Sequence, residues 1–128
     1  MSEPSNKQSG LSVRRKVMGD EFVDRALDNA DWLTEPLQEY INEHGWGATW
    51  NREGLDLRTR SLITIAMLAA LKAPTELKGH VRGALRNGCS KQEIQETLLH
   101  SAVYCGAPAT QEAFRAAREI LDQWPGAE

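Results

Sequence analysis

The sequence predicts an all-α protein built from about six helices in one compact domain. Apolar residues recur at helical spacing through most of the chain, and glycine or proline separates one helical stretch from the next. No alternating apolar and polar run bounded by turn residues predicts a β-strand. The chain has 128 residues, of which 41% are hydrophobic and 26% are charged. That composition is typical of a single globular domain.

The N-terminal part of the chain begins with a polar stretch. Residues 1–9 are polar and contain proline and serine, so we expect a disordered tail there, followed by a helical domain over residues 10–128. Apolar spacing predicts a first helix over about residues 11–28. Acidic residues follow a short basic run in this helix, and we interpret that run as a solvated face. It consists of Arg14, Arg15 and Lys16.

The second helix is predicted to begin after Thr34, which can cap it, and to end near His44. Residues 45–55 contain three glycines and two tryptophans and show no helical periodicity. We therefore expect an irregular segment between the second and third helices.

The C-terminal half predicts four more helices. Asp56 is a suitable N-cap for a helix that is apolar almost all round, which we expect to be the buried central helix. A further helix should cover residues 74–88 and end at a glycine. Ser90 and Glu93 form the capping box of the next helix. The last helix should end near Trp124, before a proline.

Charge and cysteine content exclude several classes of function. The net charge of −3 disfavours nonspecific nucleic-acid binding, which needs a basic surface. The longest apolar run, residues 62–71, is too short to span a bilayer. Two cysteines without a CxxC pair, behind a polar N-terminus, predict a cytoplasmic protein without disulfides. No spacing of histidine, cysteine or carboxylate residues predicts a metal site.

Glu76 and His80 are the first candidates for chemistry. They lie four residues apart on a predicted helix and so share one face. A carboxylate beside an imidazole favours the protonated ring, which can then act as a general acid. An exposed helix salt pair is the competing interpretation, and spacing alone favours it.

Arg58 and Arg60 lie in the first turns of the central helix. Arginine binds carboxylates with two parallel hydrogen bonds, so either residue could hold an anionic ligand. The alternative is a solubilising surface charge. Because cations are disfavoured near a helix N-terminus, we expect each to have a partner, either an acid in the fold or an anionic ligand.

Two further sets of side chains could either line a pocket or have a structural role. His100 and Tyr104 follow Glu96 at four-residue spacing and form a polar stripe that could line a pocket or, as we favour, a subunit interface. Trp46 and Trp50 could cover a small ring or simply anchor their segment. The thiol of Cys105, near a helix end, is interpreted as buried and unreactive. These roles are expectations from residue type and spacing.

Two long stretches together resemble the 4-carboxymuconolactone decarboxylase family. They are GWGATWNREGLDLRTRSLITIAMLAAL and ELKGHVRGALRNGCSKQEIQETLLHSAVYCGAPATQEAF. VRRKVMGDEFVDRAL resembles the N-terminal helix of the same family. The wider alkylhydroperoxidase-like superfamily includes thiol reductases with a C-x-x-C-x-x-x-H arrangement. This chain has Ala73 and Glu76 at the two cysteine positions and keeps His80, so thiol redox chemistry is not expected there.

The resemblance implies an alkylhydroperoxidase-like helical fold that assembles into homo-oligomeric rings, as trimers or hexamers. It also implies a decarboxylase that needs no cofactor and acts on a small lactone dicarboxylate in protocatechuate breakdown. On chemical grounds, His80 would deliver a proton and Glu76 would orient His80. Arg58 or Arg60 would bind the anion. Trp46 and Trp50 would pack against the lactone ring. Two alternatives stay open: a superfamily enzyme for another lactone or keto acid, and a non-catalytic helical oligomer that binds a small ligand.

Overall fold

The computed structural model describes residues 6–125, and within that range it contains helices and no strand, which confirms the all-α prediction. The α-helices are α1 (Asn6–Met18), α2 (Asp20–Asp28), α3 (Glu35–Tyr40), α4 (Leu57–Ala70), α5 (Pro74–Arg86), α6 (Lys91–Cys105) and α7 (Ala107–Gln123), and the π-helix, π1, is Ile41–Trp50. The chain divides after Asp56 into two compact units. No helix of the described range is long and apolar enough to cross a membrane.

The predicted first helix is two helices in the first unit. Gly19 adopts a φ of 92°, a conformation that L-residues rarely reach, and it separates α1 from α2. Helix α1 also begins at Asn6, inside the stretch predicted as a disordered tail. Residues 1–5 of that predicted tail lie outside the described residues.

The segment predicted to be irregular is helical as far as Trp50. Of its glycines, Gly47 serves packing, together with Gly10 of α1, because α1 and π1 approach so closely that side chains do not fit between them. A Cβ on Gly10 would lie 1.9 Å from the carbonyl oxygen of Asn42, and one on Gly47 would lie 2.1 Å from that of Asn6. A π-helix of ten residues is unusually long, since most are single-turn insertions.

The second unit is a four-helix bundle. Going round it, the helices neighbour one another in the order α4, α5, α7, α6. The first turns of α4 lie against the end of α5, where the Asn87 side chain donates to the Ser61 hydroxyl at 2.9 Å. They also lie against the start of α6, where Arg58 pairs with Glu93. Helices α4 and α6 are therefore parallel, and α5 runs opposite to them.

The cap signals read from the sequence are confirmed in this bundle. Gly88, with a φ of 91°, follows the end of α5. Ser90 and Glu93 form the predicted capping box of α6, in which each side chain accepts a hydrogen bond from the other residue's backbone N–H. These caps use local geometry alone, which explains why sequence spacing found them.

Helix α4 corrects the expectation of a helix buried all round. Ser61, Ile65 and Ala69 form its buried stripe. Met67 is 60% exposed, and Leu71, directly after the helix, is 73% exposed, although both are apolar. Only one stripe of α4 faces the bundle core, so the remaining apolar side chains are left on the surface of the chain. The core also contains residues from the other three helices: Leu77, Val81, Ala84, Leu85, Ile94, Leu98, Ala113, Ala116, Ala117 and Ile120.

Candidate active site

His80 lies in the second turn of the bundle helix α5. Its side chain is half-buried, between the buried residues Gly79 and Val81, and its Nδ1 atom is shielded from solvent. Glu76, one turn earlier, is exposed. The helical spacing predicted from sequence is present, and the role of Glu76 in orienting His80 stays a prediction.

Arg58 is held by the polypeptide around it. Its Nη2 donates to both carboxylate oxygens of Glu93, and its Nε donates to the carbonyl oxygen of Gly88 at 3.4 Å. The guanidinium lowers the pKa of the Glu93 carboxyl below its usual value, as does the backbone N–H of Ser90 to a smaller extent. Of the two partners expected for a cation at this helix start, Arg58 therefore has the acid in the fold.

Arg60 differs from Arg58 in its surroundings. The side chain is half-buried, and its Nε atom is shielded from solvent. The carbonyl oxygen of Arg60 accepts a hydrogen bond of 2.7 Å from the hydroxyl of Thr64, within the same helix. Since the guanidinium of Arg58 is already bonded to Glu93, Arg60 is the better candidate of the two arginines for an anionic ligand.

The polar stripe of α6 lies on an exposed face. His100 is exposed and Tyr104 is 79% exposed, and their ring centroids are 5.5 Å apart. Leu99 and Val103 lie beside them and are also exposed. Such a face is compatible with the favoured expectation of a subunit interface. Cys105 at the end of this helix is only half-buried, which corrects the expectation of a buried thiol.

The two tryptophans of the first unit form an aromatic pair. Trp46 is buried and Trp50 is half-buried, and their ring centroids are 4.7 Å apart at an interplanar angle of 31°. Four-residue spacing along π1 places both rings on one face of that helix. Of the two rings, that of Trp50 is the more accessible, so it is the better candidate to pack against a small planar ligand.

Arg14 was misinterpreted as a solvated residue, because it is only 6% exposed. Its Nη1 donates to the side-chain oxygens of Gln38 and Asn42, each at 2.9 Å. The spacing of the buried residues Gly10, Arg14 and Val17 on α1 could have shown this, since they share one helix face. The adjacent basic residues concealed that signal. Arg15, the next residue, pairs instead with the carboxylates of Asp20 and Asp24.

Comparisons with known proteins identify the relatives of this chain. Residues 35–119 match the Carboxymuconolactone decarboxylase family. The nitrosuccinic acid decarboxylase of Metarhizium robertsii is 45% identical over 88% of this chain and 79% of its own length. The 4-carboxymuconolactone decarboxylase of Acinetobacter baylyi is 39% identical over 94% of this chain and 90% of its own length. Both relatives therefore extend over nearly the whole chain.

Proposed function

Because this chain belongs to the carboxymuconolactone decarboxylase family, we propose that this carboxy-lyase converts 4-carboxymuconolactone to the 4-oxoadipate enol-lactone and carbon dioxide. The observation that supports this substrate is the extent of the match to the Acinetobacter baylyi enzyme, which covers 94% of this chain and 90% of that enzyme, compared with 88% and 79% for the Metarhizium robertsii enzyme. The reaction would belong to protocatechuate breakdown.

The chemistry of this substrate explains how an enzyme could act without an added electron acceptor. The departing carboxylate sits on the ring carbon that is conjugated, through the double bond, to the lactone carbonyl. Breaking the bond between this carbon and the carboxylate releases carbon dioxide and leaves the electron pair as a dienolate on the carbonyl oxygen. One proton delivered to the carbon beside the carbonyl completes the reaction. An enzyme must therefore stabilise an oxyanion and supply one proton.

The candidate residues match these needs as separate proposals. His80 is the proposed proton donor, with Glu76 as the residue that favours its protonated form. Arg60 is proposed to stabilise the negative charge of the substrate, and its half-buried position strengthens such an interaction over that in water. The Trp46–Trp50 pair is proposed to contact the lactone ring. His100 and Tyr104 are weaker candidates, because both are exposed in the chain.

Decarboxylation of nitrosuccinic acid is the second candidate function, and the 45% identity to the Metarhizium robertsii enzyme favours it. In both substrates the reacting carbon carries a carboxylate and a carboxymethyl arm. In both, that carbon is also attached to a group that can accept the electron pair onto oxygen. In nitrosuccinate the nitro group accepts the electron pair as a nitronate. The same proton donor and cation could therefore serve either substrate, and the acceptor group distinguishes them.

A direct comparison of the two substrates tests both candidates. Purified protein is incubated with each acid, and carbon dioxide release is measured together with the product by NMR. We expect kcat/KM for 4-carboxymuconolactone to exceed that for nitrosuccinate. A reversed preference would transfer the assignment to the second candidate. Release of no carbon dioxide from either acid would contradict both and favour an enzyme for another lactone or keto acid.

A further inference from the structure

The first unit contains a buried cation without an acidic partner. Arg14 on α1 is only 6% exposed, and within residues 6–125 its hydrogen-bond acceptors are two neutral amide oxygens, those of Gln38 and Asn42. Both bonds come from Nη1, whereas Nε is buried and has no hydrogen-bond partner among the described residues. The guanidinium therefore has donor capacity directed into the protein that the fold does not use.

Such an arrangement is unfavourable in the protein alone. A buried charge is ordinarily paired with an opposite charge, because neutral acceptors replace only part of its lost hydration. The burial lowers the pKa of the Arg14 guanidinium from its usual value, although arginine stays protonated at neutral pH. The contrast with Arg15 is direct, since that half-buried neighbour has two carboxylates, Asp20 and Asp24. The carboxylates are thus paired with the more accessible arginine of the two, and the buried arginine has only amide acceptors among the described residues.

A residue that holds the guanidinium belongs to the same helix as the aromatic pair. Asn42, which accepts from Arg14, lies one turn before Trp46 on π1, and Trp50 follows one turn later. The order along the helix is thus a polar amide bonded to a cation, then two tilted aromatic rings. A ligand with an anionic group beside a flat unsaturated ring matches that order.

We propose that Arg14, held by Gln38 and Asn42, binds a carboxylate of the substrate, and specifically that of the carboxymethyl arm. This inference rests on the proposed function. The arm keeps its negative charge throughout the reaction, so a fixed buried cation suits it. The other carboxylate must lose its charge as carbon dioxide leaves, and a strong ion pair to it would stabilise the ground state more than the transition state. Arg14 is therefore a substrate-binding residue outside the chemical step.

The first test uses Arg14→Gln, Arg14→Lys and a charge-matched control, Arg15→Gln. For Arg14→Gln we expect KM to rise by about 10- to 100-fold, which is the loss expected for one hydrogen-bonded charge pair, with kcat within about threefold. Arg14→Lys should lie between wild type and Arg14→Gln, because an ammonium keeps the charge but not the planar fork. Arg15→Gln removes the same charge from the same helix and should leave KM unchanged.

The second test supplies the missing acid from within the fold. Asn42→Asp places a carboxylate 2.9 Å from the Nη1 of Arg14 with little change in shape. We expect the melting temperature to rise while KM also rises, because the new carboxylate occupies the cation that the substrate needs. A purely structural role for Arg14 predicts the first change without the second. Circular dichroism confirms that each variant is folded.

Binding of succinate separates this inference from the proposed function. Succinate carries the carboxymethyl group and does not react, so its affinity is measured by calorimetry without turnover. Weaker succinate binding by Arg14→Gln and by Asn42→Asp, but not by Arg15→Gln, would support the site even if wild-type protein fails to decarboxylate the lactone. Equal affinity of wild type and Arg14→Gln for succinate, including no binding by either, would overturn it.

Discussion

Arg58 on α4 and Glu93 on α6 form an ion pair in which one guanidinium nitrogen, Nη2, donates to both carboxylate oxygens. The same carboxylate accepts from the backbone N–H of Ser90 at 2.8 Å. One acid therefore caps α6 and also pairs with a cation at the start of a parallel helix. Removing either partner affects two helix ends together.

The stability of the protein should depend on pH through Glu93. Because the native pKa of this carboxyl is lowered, its stabilising contribution is complete above the usual pKa of glutamate, about 4.3, and is lost as the pH falls through the lower native pKa. We expect the melting temperature of Glu93→Gln to be below that of wild type at pH 7. The difference in melting temperature should shrink as the pH falls below the usual pKa of glutamate. Thermal melts of both proteins across pH measure this. A difference that is constant with pH would contradict it.

Substitutions of Arg58 and Arg60 should affect different properties, stability for Arg58 and kcat/KM for Arg60. We expect Arg58→Gln chiefly to lower the melting temperature, because it removes the partner of Glu93. We expect Arg60→Gln to lower kcat/KM by about 10- to 100-fold with a smaller loss of stability, as for an arginine that binds an anionic substrate. Steady-state kinetics and melting curves on both variants test the pair. Equal kinetic losses would return Arg58 to the candidate site.

His80→Ala should reduce kcat by about 10²- to 10⁴-fold with KM nearly unchanged, since a positioned acid contributes that much to proton transfer. His80→Gln should be similarly poor, and Glu76→Gln milder. His44→Ala is the matched control, because His44 is an exposed histidine of the other unit. A folded His80→Ala protein within about threefold of the wild-type kcat would exclude His80 as the general acid.

Gly10→Ala should strongly destabilise the first unit. The new Cβ would lie 1.9 Å from the carbonyl oxygen of Asn42, so α1 and π1 must separate. We expect a loss of about 3 kcal/mol or more, at the upper end for overpacking. Gly45→Ala is the control, because no atom lies within 4 Å of its Cβ position. It should be neutral or stabilising, since alanine favours helices over glycine by about 1 kcal/mol. Denaturant unfolding compares the two variants.

The exposed apolar side chains of α4 and α6 predict a homo-oligomer, as the family resemblance does. Met67 of α4 and Leu99 and Val103 of the neighbouring parallel helix α6 are each more than half exposed, as is Leu71, directly after α4. We expect sedimentation at micromolar concentration to show a trimer or hexamer, and Met67→Glu with Val103→Glu to weaken it. Two exposed charges introduced elsewhere, at Gln92 and Gln111, serve as the control. A wild-type species of only 14.3 kDa would refute the expectation.

The sequence alone determined the features that depend on neighbouring residues. Helical spacing predicted the all-α class, and cap residues located the ends of α5, α6 and α7, because a helix terminus is satisfied within a few residues. Long motifs placed the chain in its family.

Tertiary structure decided what depends on residues distant in sequence. The packing of α1 on π1 is what buries Arg14 and what requires a glycine at position 10. Likewise, the partner of Arg58 lies 35 residues away, and spacing could predict that a partner exists but not which residue it is. The physical reason is that burial and ion pairing are set by the elements that meet in space, whereas propensity and capping are set by the local chain.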